Sequence, residues 1–487
     1  MSSVDLSANV LWQTLSKDVC SLSRQEKSSS TREIIQEESA ESRPLVPKEA
    51  KCIKKQGSNW LSTSFLIVNT ALGIGILNFP AAYNQAGGVL YATFIQVVMV
   101  LMMLSTMLIL AYCSDFNGDN TYHNVLLSMC GRRGQQLAAL TITLTLYCVC
   151  VAFLIIIGDQ MDSLLHSLYG PGFCERWFLN RHFTISAISI VLILPTCFCK
   201  RVDFLAFIGS VGIFAMLYPV FLTVYGYFKL NVKHVEIKTK PDDLSGMFAM
   251  FPVLGLGYQC QEVVVPVYSC MRERRLGNFV KSSIVAMIFL FIVYSIIGCF
   301  GYLTFGANVT HNVMKMYNAD DPFVMVGVFA LIIKMVATYP ILATCGRDAA
   351  AGLYAELRNL KPSEFVSAEK QRRYVAGAIW FSTSLILATT TDGIGIVLKY
   401  LGSVASANIF IYPGICLMQV VLMKDPDLKK IKNRLLVAYG IAVAAVGAFC
   451  LGVVLFEAIL NPSDDDATVD LCHTLPSTGN VTLTPLT

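Results

Sequence analysis

Two stretches of the chain place polar groups and helix breakers inside otherwise apolar sequence. The first reads Asn69-Thr70-Ala71-Leu72-Gly73-Ile74-Gly75-Ile76-Leu77, with Pro80 beyond it. The second holds Pro252, Gly255, Gly257 and Tyr258, then Gln259, Gln261 and Glu262, with Pro266 beyond. A helix interrupted at such a point frees N–H groups at the start of its second half and C=O groups at the end of its first. The N–H end and its dipole suit a carboxylate. The C=O end suits an ammonium or Na⁺. Together the two ends match a zwitterion such as an amino acid. Gly73 and Gly75 also fit a plainer role as small packing residues between apolar helices. Two interruptions in matching places favour the ligand site.

A third group is Lys334, Thr338 and Pro340. Lys334 and Thr338 are four residues apart and share one helix face. The Thr338 hydroxyl can serve Na⁺. Charge in the middle of an apolar segment is usually functional and faces a cavity; the alternatives are that Lys334 snorkels or pairs with Glu262. Lys399 lies nearer a segment end and is expected to snorkel. Asp159 and Gln160 close another apolar segment and are expected at a solvated end. All six His lie outside the apolar segments, which leaves no buried imidazole for a proton relay. No catalytic triad, HExxH or P-loop pattern is present, so no enzyme is expected.

The elements that must position these residues follow from composition. Of 487 residues, 55% are hydrophobic and only 14% charged; mean hydropathy is +0.58. Soluble domains carry about 25% charged residues, so a soluble enzyme or nucleic-acid binder is excluded. The 16 Cys fall mostly inside apolar runs, without disulfide-scaffold or zinc spacing, and read as small packing residues. Residues 1–56 form a polar, Ser-rich tail, expected to be disordered and cytosolic. Eleven apolar blocks follow, near 60–82, 88–112, 137–157, 183–199, 203–228, 247–269, 280–305, 322–346, 374–393, 395–422 and 435–460. Each approaches the ~20 residues a helix needs to cross a bilayer. The reading is an all-α integral membrane protein, with a transmembrane domain over 57–460 and a non-cytosolic tail over 461–487. The two interrupted blocks are the first and the sixth, the pattern of a five-plus-five inverted repeat with its site where the breaks meet.

With the N-terminus cytosolic, 28 of the 37 Lys and Arg fall on the cytosolic side and seven on the other, which fixes the expected orientation. The sequons at Asn308 and Asn480 then both lie on the non-cytosolic side, as expected of a glycoprotein. Cys174 and Cys472 lie there too, as a disulfide in an oxidising compartment or as two free thiols.

The stretch from Val68 to Pro80 resembles the sodium-coupled neutral amino acid transporters of the amino acid/auxin permease superfamily. So do Phe153-Leu154-Ile155-Ile156-Ile157-Gly158-Asp159-Gln160, Gly301-Tyr302-Leu303-Thr304-Phe305-Gly306, Thr338-Tyr339-Pro340-Ile341-Leu342, Cys345-Gly346-Arg347 and Ile411-Tyr412-Pro413-Gly414. The resemblance runs from about residue 58 to 460, and Leu77-Asn78-Phe79-Pro80-Ala81-Ala82 with Gly158-Asp159-Gln160 points to one branch of that family. It implies an eleven-helix LeuT-type fold and a secondary active transporter of small neutral amino acids, glutamine or asparagine foremost, working as a Na⁺ symporter. Asn69 and Thr338 match the family's Na⁺ ligands. Thr70 and Gly73, Ile74, Gly75 and Ile76 match the carboxylate-binding wall; Gly255, Gly257, Tyr258 and Gln261 match the opposite wall. Relatives often carry His where Gln261 stands, and Lys334 departs from the pattern. A cation beside Thr338 can replace Na⁺, which keeps proton-linked or sodium-independent transport as the alternative, with an amino acid sensor as another. In the tail, Glu41-Ser42-Arg43-Pro44-Leu45-Val46 resembles an acidic dileucine signal that a sorting adaptor reads, which sets lysosomal or endosomal delivery against the plasma membrane.

Overall fold

The computed structural model describes residues 58–460, apart from 171–172, 174–175, 199–202, 230–236, 242–243, 318–320, 359–368 and 392–393. The described residues form helices, and their one β-type contact is a bridge between Ser58 and Met271. The first block folds as α1 (Trp60–Ala71), a 3₁₀ turn (Ile74–Asn78) and α2 (Phe79–Gln85). Then come α3 (Val89–Asn117), α4 (Tyr122–Tyr169), α5 (Arg181–Cys197) and α6 (Asp203–Lys229). The sixth block gives α7 (Leu244–Gly257) and α8 (Gln261–Ser269), followed by α9 (Leu276–Phe305), α10 (Pro322–Leu357) and α11 (Glu369–Thr390). The last elements are α12 (Ile394–Ser406), a π turn (Ala407–Ile411), α13 (Tyr412–Lys424) and α14 (Ile431–Leu460).

Among the described residues, eight helices are long and apolar enough to cross a membrane, and the bent pair at the first block makes a ninth. Two expected blocks fall short of that measure. α5 is a short apolar helix, and α11 opens on Glu369, Lys370, Arg372 and Arg373. The third block is longer than its apolar stretch suggests. α4 runs 48 residues with a kink at Gly131, whose φ of +72° is open to glycine and strained for other residues.

Large apolar side chains point outward all round the bundle. Leu90 is 77% exposed, Phe228 72% and Val191 67%. In water that surface would drive aggregation; against lipid it is the expected solvent face. Helix ends are closed locally: Thr121 Oγ1 accepts from Asn124 N at 3.2 Å ahead of α4, and Asn180 Oδ1 accepts from His182 N at 3.1 Å ahead of α5. Buried apolar residues from every block form one contiguous interior. Among the described residues eleven Cys stand outside any disulfide, seven of them buried, in line with their reading as packing residues.

Candidate functional site

The break in the first block is sharp. α1 ends at Leu72, and Gly73 is extended (φ −125°, ψ −160°) before the 3₁₀ turn. The two helical arms diverge by 60°. In the sixth block the helix continues through Gly255 and Gly257, and the break falls just after them, between Gly257 and Gln261. The two breaks meet. A Cβ built on Gly75 lies 3.0 Å from Gly257 Cα and 3.1 Å from its N, so the backbones touch where both positions lack side chains.

Tyr294 of α9 serves both breaks. Its Oη lies 2.9 Å from Ala71 O and 2.6 Å from Gly257 O, so one hydroxyl spans the carbonyl ends of both first half-helices. Its ring stacks on Phe79 at 4.4 Å and meets Tyr258 edge-on at 4.9 Å. Tyr258 Oη accepts from Gln96 Nε2 at 2.7 Å, and Tyr83 Oη donates to Gln96 Oε1 at 2.6 Å. Sequence reading missed Tyr294, Gln96 and Tyr83. The isolated glutamine within the apolar run of the second block was the available signal.

Asn69 is buried, and its Oδ1 has no hydrogen-bond partner among the described residues. An orphaned buried carbonyl oxygen beside a helix break fits a cation ligand. Thr338 Oγ1 donates to Lys334 O at 2.8 Å, which leaves its lone pairs free to accept. No hydrogen bond joins Asn69 to Thr338 among the described residues. Lys334 is buried, and its stem lies against α6, where a Cβ on Gly212 would fall 2.3 Å from Lys334 Cδ. Its ammonium therefore faces α6, while Glu262 bonds elsewhere. Thr70 is exposed on the face of α1 turned away from lipid-facing Leu61 and Phe65, and its hydroxyl donates to Leu66 O at 2.9 Å. Gly73 is half-buried and Ile76 fully buried. Gly255 packs against Ile409. Both ends of the Gln261 amide are engaged inside the protein: Oε1 accepts from Cys260 N at 3.1 Å and Nε2 donates to Thr106 Oγ1 at 3.3 Å.

Asp159 and Gln160 are not at a solvated end. Asp159 is 2% exposed and meets Arg181 Nη2 at 2.9 Å, Lys315 Nζ at 2.9 Å and Asn312 Nδ2 at 3.0 Å. Arg181 also pairs with Asp162. Gln160 is buried with both amide atoms unpartnered among the described residues. His311, read as an ordinary loop residue, is buried, with Nδ1 2.8 Å from Asn78 Oδ1 of the 3₁₀ turn. The segment between α9 and α10 is thus clamped onto the first block on one side and onto α4 and α5 on the other. The reason is that a carboxylate drawn inward recruits cations from distant segments rather than staying in water.

Asn308 is exposed at the end of a 3₁₀ turn in that segment. Asn480, Cys174, Cys472 and the tail residues Glu41, Leu45 and Val46 lie outside the described residues. No cluster of His, Cys, Asp and Glu among the described residues could hold a metal ion by those ligands.

The family model for "Transmembrane amino acid transporter protein" matches residues 56–460. The chain is 33% identical over 408 residues to sodium-coupled neutral amino acid transporter 7 of Danio rerio, covering 83% of this chain and 88% of that protein. It is 32% identical over 403 residues to the Homo sapiens protein of that name, covering 82% and 87%. Against solute carrier family 38 member 8 of Homo sapiens the identity is 28% over 396 residues, covering 80% and 91%.

Proposed function

Because the chain belongs to the transmembrane amino acid transporter family, we propose that it is a Na⁺ symporter of small neutral amino acids of the glutamine and asparagine type. It is a multi-pass membrane transporter and not an enzyme. In our reading the eleven crossings of residues 57–460 work as a LeuT-type five-plus-five repeat. Residues 1–56 lie in the cytosol and 461–487 on the other side. The bundle of α1/α2, α3, α7/α8 and α9 rocks against the rest and opens the site to each side in turn. The substrate carboxylate sits on the backbone from Gly73 to Ile76, near Thr70, with Gly255, Gly257, Tyr258 and Gln261 as the facing wall.

One observation carries the ion assignment: the buried Oδ1 of Asn69 beside the break, which has no hydrogen-bond partner among the described residues. A carbonyl oxygen in that setting is a ready Na⁺ ligand, and the sodium-coupled naming of the relatives agrees with it. The test is glutamine uptake into proteoliposomes with Na⁺ and pH gradients imposed separately. Wild type is expected to accumulate glutamine on the Na⁺ gradient. Asn69→Ala loses one good ligand interaction, about 1.5–3 kcal/mol for a hydrogen bond or its equivalent to a charge. At 1.4 kcal/mol per tenfold, the apparent Na⁺ affinity should fall about 10- to 100-fold. Na⁺-driven uptake of unchanged affinity in this variant rules the assignment out.

Buried Lys334, one turn from Thr338, supports a second reading in which its ammonium stands in for Na⁺ and transport is proton-linked or sodium-independent. Flux that ignores Na⁺, and that Lys334→Ala makes Na⁺-dependent, selects it. Correctly folded protein that binds glutamine but moves no neutral amino acid selects a sensor. The destination, lysosome or plasma membrane, is read through Glu41, Leu45 and Val46. Relocation of a Leu45→Ala/Val46→Ala variant from lysosomes to the cell surface assigns the tail as a sorting signal; an unmoved variant removes it.

A further inference from the structure

A second titratable group stands at the break of the sixth block, and the ion assignment above does not use it. Glu262 is the second residue of α8 and is half-buried. Its Oε1 accepts from Gln259 Nε2 at 2.6 Å and from Asn408 Nδ2 at 3.3 Å; Oε2 accepts none among the described residues. Asn408 is fully buried in the π turn between α12 and α13. That turn is a widened place in a helix, of the kind found at functional sites. It frees Asn408 O to accept from Tyr122 Oη at 3.0 Å, and Asn408 Oδ1 accepts from Thr141 Oγ1 at 2.7 Å. Glu262 is thereby anchored across α4 and the π turn by neutral amides alone.

The elements packed against α8 are α1, α3, α4 and the π turn. The titratable groups they and α8 itself turn toward Glu262 are Tyr122 on α4 and Cys260 at the break, with Tyr412 beside Tyr122 just past the π turn. Asp115 of α3 lies at the other end of α8, on Tyr268. No Lys, Arg or His lies within ion-pair distance of Glu262 among the described residues, and Lys334 lies against α6. A carboxylate held inside a bilayer without a cation is costly, and such a group is a functional candidate by default. Something must neutralise it in part of the cycle. Its carboxylate meets N–H donors, and the nearby oxygen of Asn408 is already taken by Thr141, so the described residues around it do not form the oxygen cage that Na⁺ needs. A proton needs only the free Oε2.

We propose that Glu262 is a proton-binding residue of the transport cycle: hydronium in the open vestibule gives one proton to Oε2, and the neutral acid crosses with the moving half-helix and returns that proton to water on the other side. The inference rests on the transporter reading, with the proton as an ion additional to that at Asn69. The experiment reconstitutes the full-length chain into proteoliposomes with an internal pH dye. Glutamine counterflow without ion gradients is measured beside net uptake between pH 5 and 8. A single titrating group gives a change of up to about tenfold per pH unit on the steep limb. Wild-type net uptake should follow that limb and move protons. Glu262→Gln should flatten the pH response to within about twofold, end proton movement and lower net accumulation at least tenfold, while counterflow, which needs no proton release, continues. Glu262→Asp keeps a carboxyl and should keep a pH response with a displaced midpoint. If Glu262→Gln fails to insert, the displaced midpoint of Glu262→Asp decides. A wild-type pH response in Glu262→Gln, or an unmoved midpoint in Glu262→Asp, overturns the proposal and leaves the transporter reading standing. Loss of Na⁺ dependence with the pH response intact makes the group a Na⁺ ligand and also overturns it. Absence of any neutral amino acid counterflow in wild type removes the transporter reading itself, and this inference with it.

Discussion

Gly257→Ala is expected to cut the initial rate of amino acid uptake about five- to 150-fold. The added Cβ falls 2.7 Å from Phe79 Cε2 and 2.9 Å from Cζ. Phe79 cannot yield cheaply. It is fully buried, stacked on Tyr294 at 4.4 Å and set edge-on to Tyr258. Moving that ring moves the hydroxyl that spans Ala71 O and Gly257 O, and with it the alignment of both breaks. Overpacking of this kind costs about 1–3 kcal/mol, and at 1.4 kcal/mol per tenfold that is the range stated. The measurement is uptake normalised to protein in the membrane, with Gly277→Ala as the comparison. Gly277 has nothing within 4 Å of an added Cβ and should stay within about twofold of wild type. Wild-type rates in Gly257→Ala mean that the contact between the breaks is not kept through the cycle.

Asp159→Asn should destabilise the fold by about 3–5 kcal/mol, the cost of leaving buried cations without their anion. Arg181 keeps Asp162, whereas Lys315, with a side chain only 18% exposed, loses its carboxylate. The segment between α9 and α10 then loses its ion pair to α4, while the contact through His311 and Asn78 stays. The expected results are a markedly lower melting temperature in detergent and reduced uptake per cell as the folded fraction in the membrane falls. The double variant Asp159→Leu/Lys315→Met replaces an ion pair by apolar groups and should recover part of the stability, since a buried pair is often replaceable as a unit. Unchanged melting and uptake in Asp159→Asn would dismiss the clamp.

The breaks were legible because glycine pairs recur with polar groups in two matching apolar blocks, and a close backbone approach is one use of glycine there. Gly73, Gly75 and Gly257 announced the meeting of two half-helices before any geometry was known. Pairs separated by long stretches of chain were not legible. Asp159 finds Lys315, Glu262 finds Asn408, and Tyr294 finds Ala71, and each pairing depends on how distant blocks lie beside one another. Hydropathy assigns a charge near a block end to water by default; only packing reverses that for Asp159. The second break falls inside the stretch from Gly255 to Gln261 marked by the sequence; glycine marks the approach of backbones, whereas the helix itself gives way at Tyr258–Cys260. Asn69 was assigned through resemblance, and the structure adds to it an oxygen without a partner.

The bridge at Ser58 has a mechanical side. Ser58 N donates to Cys270 O at 3.1 Å, and Arg272 N donates to Ser58 O at 3.0 Å. The start of α1 is thereby pinned to the end of α8, on the far side of each helix from its break. The two half-helices share one anchor, as two levers share a fulcrum pin, and neither swings without loading the other. A pull on the chain upstream of Ser58 is delivered to both breaks at once. By reciprocity, whatever spreads or closes the breaks changes the tension at that pin. Ser58 is thus the point of the bundle from which both its hinges can be worked.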